Sequence, residues 1–206
     1  MKQSLIIFAR LPREGEVKTR LAVGVGQMKA VEIYATFAEH AFEIGEYLRQ
    51  ASVNVHLFYD PLASPNEIRS WIKHPFDVVP QNGPTLGDRM KNAFERTFQD
   101  GADASIIIGT DVPELDHATV KEAFKLLKKH EVVIGPSTDG GYYLLGMRSP
   151  AKDLFTGIEW STQSVFERTR ERLKEAELSF SLLKTLTDVD TPEDHMEYLK
   201  RLSLLR

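Results

Sequence analysis

Leu5-Ile6-Ile7-Phe8-Ala9 runs directly into Arg10-Leu11-Pro12-Arg13-Glu14-Gly15-Glu16-Val17-Lys18-Thr19-Arg20. A short apolar run that breaks into a loop with four cations and a glycine reads as a buried strand delivering an anion-binding loop. Guanidinium and ammonium groups make charge-assisted bonds to phosphate, so phosphate is the expected target. A solvated loop of scattered charges would have the same composition, and the rest of the chain decides between the two. Outward from this stretch, apolar runs alternate with helical periodicity. Strands are predicted at Ser4–Ala9, Val53–Tyr59, Ala104–Gly109, Val132–Gly135, Tyr142–Gly146 and Ser179–Leu183. Helices are predicted near Gln27–Gln50, Pro65–Lys73, Leu86–Gln99, His117–His130, Thr162–Glu175 and Pro192–Leu202. This alternation predicts an α/β fold with a mostly parallel sheet. The loop Pro136–Gly141 is too short for a helical crossover, which makes the sheet mixed.

Three helix starts carry cap signals. Asp116 caps the helix whose buried stripe is Val120, Ala123, Phe124 and Leu127. Ser164 with Glu167 fits a capping box, although Ser161 or Thr162 could start that helix instead. Thr191 before Pro192 suits the last helix.

Composition narrows the function. The 206 residues suit one domain over 1–206, with no repeat, low-complexity tract or Gly/Ser-rich linker. The chain is 42% hydrophobic and 27% charged, with a net charge of −4, as expected of a globular protein. A pI near 5.9 argues against a broad nucleic-acid-binding surface. The absence of cysteine excludes thiol catalysis, disulfides and thiolate metal sites. The five-residue apolar run before Arg10 is too short for a signal peptide or a membrane span, so a cytoplasmic protein is expected. A homo-oligomer stays open.

Three further motifs carry chemistry. Ile106-Ile107-Ile108-Gly109-Thr110-Asp111-Val112-Pro113 puts a carboxylate at the carboxyl end of a strand buried on both faces, where open α/β sheets bind ligands. Mg²⁺ is held by one or two carboxylates plus substrate phosphates, so Asp111 is a candidate ligand; a turn-forming Asp is the plainer alternative. Gly135-Pro136-Ser137-Thr138-Asp139-Gly140-Gly141-Tyr142 reads first as a hairpin turn and second as a ligand loop, and the two are compatible. In Thr187-Asp188-Val189-Asp190-Thr191-Pro192, Asp188 and Asp190 share a face if the segment is extended. Asp190, at the turn before the proline, is preferred as the second acid, with a helix-capping cluster as the alternative. Trp160 beside Ser161 and Thr162 suits stacking on a sugar or another planar group. No P-loop, nucleophile elbow, third Rossmann glycine or zinc spacing is present.

Together these residues resemble a known family. Phe8-Ala9-Arg10-x-Pro12-x-x-Gly15-x-Val17-Lys18-Thr19-Arg20-Leu21 is similar to the opening signature of bacterial nucleotide-diphospho-sugar transferase-like proteins, including family-two-like glycosyltransferases, some linked to arsenosugar biosynthesis. Gly109-Thr110-Asp111-x-Pro113, Pro136-x-x-Asp139-Gly140-Gly141-Tyr142, Trp160-Ser161-Thr162 and Asp188-x-Asp190-Thr191-Pro192 follow in the family's order. The resemblance covers nearly the whole chain. It implies a GT-A type three-layer α/β/α sandwich with a mixed, mostly parallel sheet, shared with sugar-phosphate nucleotidyltransferases, molybdopterin guanylyltransferases and 2-phospholactate guanylyltransferase. The chain departs from nucleotidyltransferases in having Ala9-Arg10-Leu11-Pro12 instead of a Gly-Gly pair. It departs from many glycosyltransferases in having Gly-Thr-Asp111 instead of Asp-x-Asp.

The expected enzyme is therefore a Mg²⁺- or Mn²⁺-dependent transferase using a nucleotide sugar and a small-molecule acceptor. A nucleotidyltransferase using a nucleoside triphosphate is the alternative, and a non-catalytic nucleotide-binding protein a third. By resemblance Lys18, with Arg10 and Arg20 and beside Ala9, binds the diphosphate, and Asp111 and Asp190 hold the metal. Asp139 is the candidate general base or acceptor-positioning group, with the amides of Gly140 and Gly141 on substrate hydroxyls. Trp160, Ser161 and Thr162 are assigned to substrate, and Thr85, Gly87 and Arg89 to a base or ribose pocket.

Overall fold

The computed structural model describes residues 1–204. Its strands are β1 (Gln3–Ala9), β2 (Asn54–Tyr59), β3 (Asp77–Pro80), β4 (Ala104–Ile108), β5 (Val132–Pro136), β6 (Tyr142–Met147) and β7 (Phe180–Leu182). Its helices are α1 (Thr19–Val25), α2 (Gln27–Gln50), α3 (Pro65–Trp71), α4 (Leu86–Gln99), α5 (His117–Leu126), α6 (Val165–Glu175) and α7 (Pro192–Leu204), with a 3-10 turn at Lys152–Phe155. Among the described residues no helix is long and apolar enough to cross a membrane.

The strands form one sheet in the order β3-β2-β1-β4-β6-β5-β7. All neighbours are parallel except β6, which runs antiparallel to both β4 and β5. Side chains alternate across a strand, so the apolar runs of β1 and β4 feed two cores at once. Leu5, Ile7, Ile106 and Ile108 pack under Tyr34, Phe42, Ile68 and Phe124 of α2, α3 and α5. Ile6 and Ile107 pack on the other face, against Met90 and Phe94 of α4, Leu173 of α6 and Phe155 of the 3-10 turn. A three-layer α/β/α sandwich with a mixed, mostly parallel sheet results. Burying each isoleucine of this run contributes roughly 2 kcal/mol.

Local signals fix the helix starts. Asp116 accepts from Thr119 N–H at 2.7 Å, as the cap signal predicts. Thr191 accepts from Asp194 N–H at 3.2 Å and starts α7. The capping box expected at Ser164 and Glu167 does not form: Ser164 makes no side-chain cap, and Glu167 pairs with Arg170 one turn on. Thr162 instead accepts from Ser164 N–H at 3.4 Å while donating to Glu159 C=O. The reciprocal box lies at Ser64 and Glu67, starting α3. Three elements lie outside the expected ones: β3, α1 and the 3-10 turn. β3 is four residues long and only half-buried, and α1 starts without a side-chain cap.

Candidate functional site

The carboxyl ends of β1, β4 and β5 open onto a cleft of about 950 Å³, joined there by the start of β6 because that strand is reversed. A smaller hollow of about 360 Å³ lies at the opposite edge, around Glu131, Ser149 and Arg172. Ala9, Arg10, Lys18, Arg20, Asp111, Asp139, Asp188 and Asp190 all line the larger cleft. The segments 8–20, 109–113, 137–142 and 188–190 therefore meet there.

Lys18 is the centre of the site. It precedes α1 with φ 47° and ψ 42°, a left-handed backbone that costs a side-chain-bearing residue about 1–2 kcal/mol. Its side chain is only 2% exposed, with the ammonium bonded to Asp111 and lying 3.1 Å from Asp190 Oδ1. Burial pulls its pKa down, but Asp111 and Asp190 outweigh that and the net direction is up. Arg20, exposed on the rim, approaches the other Asp190 oxygen at 3.5 Å. Asp111 follows β4, and its carbonyl accepts from Val189 N–H at 2.9 Å, which staples the two acidic segments together. Asp194 accepts from Asp190 and Thr191 N–H at 3.1 and 2.8 Å and fixes the turn before α7.

Two more acids lie in the same cleft. Burial first, and the neighbouring Asp139 next, push the Asp188 carboxyl up to about 6. Asp139 accepts from the Ser137 hydroxyl and, at 2.8 Å, from Gly141 N–H. Gly140 N–H donates to Ser137 C=O at 3.3 Å. Both glycine amides expected to reach substrate hydroxyls are therefore used inside the turn. Gly140 has φ 88°, and a Cβ there would lie 2.2 Å from Gln163 O, so the turn is pressed against the loop before α6.

The cationic wall is held from behind. Asp60, with a side chain 9% exposed at the end of β2, lies 3.0 Å from Arg89 and 3.6 Å from Arg10. Arg89 also donates to Gly83 C=O at 3.2 Å and to Gln81 at 3.3 Å. Arg89 therefore lines the cleft as a braced side chain. Thr85 and Gly87 do not line it. Thr85 accepts from Asp88 N–H at 3.1 Å and starts α4, which consumes its hydroxyl. Gly87 makes room for an indole: a Cβ there would lie 2.4 Å from Trp160 Nε1. Trp160, stacked on Phe155 at 6.3 Å, forms the far wall with Ser161 and Thr162. Ser161 takes φ 65°, a second left-handed residue in the cleft wall.

Sequence reading missed Tyr34. Its buried hydroxyl accepts from Arg10 N–H at 2.8 Å and from Thr110 at 3.4 Å, and donates to Arg10 C=O at 3.2 Å. It thereby ties the start of the cationic loop to the end of β4. A tyrosine on the buried stripe of α2 was the available signal, since a buried phenol needs a partner. Gln81 was also missed; it is locked by donating to Phe58 C=O at 3.0 Å.

A profile of the family described as "Uncharacterized protein conserved in bacteria (DUF2064)" matches residues 43–162, more than half of the chain. The chain belongs to this family. This DUF2064 member is 34% identical to a Desulfovibrio desulfuricans G20 protein of known structure, described as a candidate nucleotide-diphospho-sugar transferase. That match has a TM-score of 0.87 and covers 93% of this chain and 84% of the other. It is also 31% identical over 109 residues to 2-phospho-L-lactate guanylyltransferase of Methanocaldococcus jannaschii, covering 51% of this chain and 47% of the relative. The chain spans about half the length of the curated relatives it matches. Two further solved structures share the fold alone. One is CMP:2-keto-3-deoxy-manno-octonic acid synthetase complexed with CTP, at 15% identity, a TM-score of 0.59 and coverage of 100% and 99%. The other is a Mycobacterium tuberculosis H37Rv protein complexed with manganese, at 14% identity, a TM-score of 0.62 and coverage of 97% and 99%.

Proposed function

We propose that this DUF2064 member is a nucleotidyltransferase, acting in the cytoplasm as one domain over residues 1–206. In this reading an oxygen of a phosphorylated acceptor attacks the α-phosphorus of a nucleoside triphosphate; a new P–O bond forms, the bridging P–O bond breaks, and pyrophosphate leaves. The observation that carries it is the convergence of a cationic loop and four carboxylates at one sheet edge, beside likeness to a guanylyltransferase. Lys18, Arg10 and Arg20 bind the triphosphate, and Trp160, Ser161 and Thr162 face the acceptor. A phosphate nucleophile is already anionic, so Asp139 needs no base role; it orders the 137–141 turn.

A divalent cation fits the site. Asp111 and Asp190 already reach one common cationic atom, and their oxygens are hard donors suited to Mg²⁺ or Mn²⁺. Among the described residues no group of three or more His, Asp or Glu side chains is placed to hold a metal ion, so the remaining ligands would come from substrate phosphates. When bound, such an ion neutralises charge developing on the leaving phosphates.

The test is a panel of nucleoside triphosphates and nucleotide sugars offered with phosphorylated small-molecule acceptors. Pyrophosphate release from a triphosphate is expected. Release of a nucleoside diphosphate from a nucleotide sugar would overturn this in favour of glycosyl transfer, the reading favoured by the name of the Desulfovibrio relative.

A further inference from the structure

We infer that Lys18 is a latch: its ammonium holds Asp111 and Asp190 in the place of a divalent cation, and cation binding drives the side chain out into the cleft. The inference rests on reading those two carboxylates as the cation's ligands, and not on which group is transferred.

The geometry places the lysine on the wrong side of its partners for a ready phosphate binder. Its side chain is 2% exposed, whereas Asp111 is 52% and Asp190 38% exposed. A polyphosphate entering the cleft meets carboxylates before it meets the ammonium. Asp139 and Asp188 line the same face. Arg10, Arg20 and Arg89 also line the cleft, but it is Lys18 Nζ that touches both Asp111 and Asp190, so a phosphate chain approaching those two carboxylates is repelled until more positive charge arrives there. The oxygens best placed to hold that charge are the ones Lys18 occupies. An ammonium and a divalent ion compete for them, because like charges a few ångströms apart repel.

The lysine has the means to leave. Its four-carbon stem is flexible, and its ammonium is a point charge with no fixed fork geometry. Its backbone is held in the left-handed region at the start of α1, an observed strain of the kind found at switch positions. Asp190 also has Arg20 at 3.5 Å, so the lysine is not its sole cationic partner. Cation and phosphate therefore assist each other: the ion displaces the ammonium, and the freed ammonium is presented to the phosphate.

Mn²⁺ titration without any nucleotide, followed by the paramagnetic resonance signal of the free ion, tests the latch. Lys18→Met is expected to bind Mn²⁺ at least tenfold more tightly than the parent. Arg20→Met, which removes a rim cation beside the same Asp190, is expected to gain less than threefold. Equal gains in the two variants, or none in Lys18→Met, would overturn the latch in favour of general charge removal. A second measurement needs no variant: reductive methylation of the parent, read at Lys18 by mass spectrometry, is expected to accelerate at least fivefold on saturation with Mg²⁺. An unchanged rate at Lys18 would overturn it equally. Both experiments omit nucleotide, so a protein that proves to transfer a sugar leaves the latch standing.

Discussion

Replacing Gly87 by alanine sets two terms of opposite sign against each other. Gly87 is the second residue of α4, and alanine in a helix interior gains about 0.8–1 kcal/mol over glycine, less in a first turn. The added Cβ, however, would lie 2.4 to 2.6 Å from three atoms of the Trp160 indole, about 1 Å inside ordinary contact. Forcing a methyl into such a fit costs about 1–3 kcal/mol, so the clash wins by about 1 kcal/mol. In a chain this long that lowers the melting temperature by about 2–4 °C. Trp71 and Trp160 are the two tryptophans, so a Trp71→Phe background leaves Trp160 as the fluorescent reporter. Denaturant unfolding followed by circular dichroism gives the stability, and the emission maximum reports whether the ring is pushed off Phe155 into water. A midpoint at or above the parent's, with unchanged emission, would refute the argument: helix propensity would then have won, and the indole would not be held against α4.

Four other outcomes follow from the same geometry. Asp111→Asn, which keeps the shape of the side chain and removes its charge, should cut transfer on the order of 10²-fold while leaving the far-ultraviolet circular dichroism unchanged; full activity would remove Asp111 from the site. Tyr34→Phe leaves the Arg10 amide without its partner and should cost about 1–2 kcal/mol in denaturant unfolding. Asp188, raised to about 6 in the fold, holds its proton where the unfolded chain has lost it, so it favours the folded state in acid, and that contribution disappears as pH rises from about 4 through 6. Asp188→Asn should therefore be more stable than the parent at pH 8 by about 1 kcal/mol after solvent screening, with the gap closing at pH 4; a pH-independent gap would contradict the assignment. Gly140→Ala combines a positive φ with a Cβ 2.2 Å from backbone, and should cost about 2 kcal/mol or more by thermal unfolding.

Much of the fold was legible because the central strands are buried on both faces. Ile106-Ile107-Ile108 admits no reading but a covered strand, and α2 and α4 show clear apolar stripes. β3 escaped because a four-residue edge strand with only Val78 and Val79 half-buried, ending in Pro80, has neither run nor alternation. α1 escaped because Gly24, Arg20 and the preceding Lys18 imitate a loop. In the site, the acids were legible as punctuation after apolar runs, and all of them reach the cleft. The inward turn of Lys18 was not legible, since a lysine in a cationic loop is expected to face water. Thr85 shows the same limit: its place before a helix fits a ligand contact or a cap, and only the bond to Asp88 separates them.

The central position of β1 has a consequence for how the molecule is made. Leu5 pairs with Val55 on one side and with Ile106 on the other, so the strand lacks its second neighbour until about a hundred further residues have been synthesised. The Lys18–Asp190 contact spans 172 positions. At about 5–20 residues per second, roughly 9–35 seconds separate the translation of those two partners. Until β4 is made the nascent chain exposes an apolar strand edge on the ribosome, where chaperones act, and a product truncated before Asp190 has the cations of this cleft without the acid that completes it.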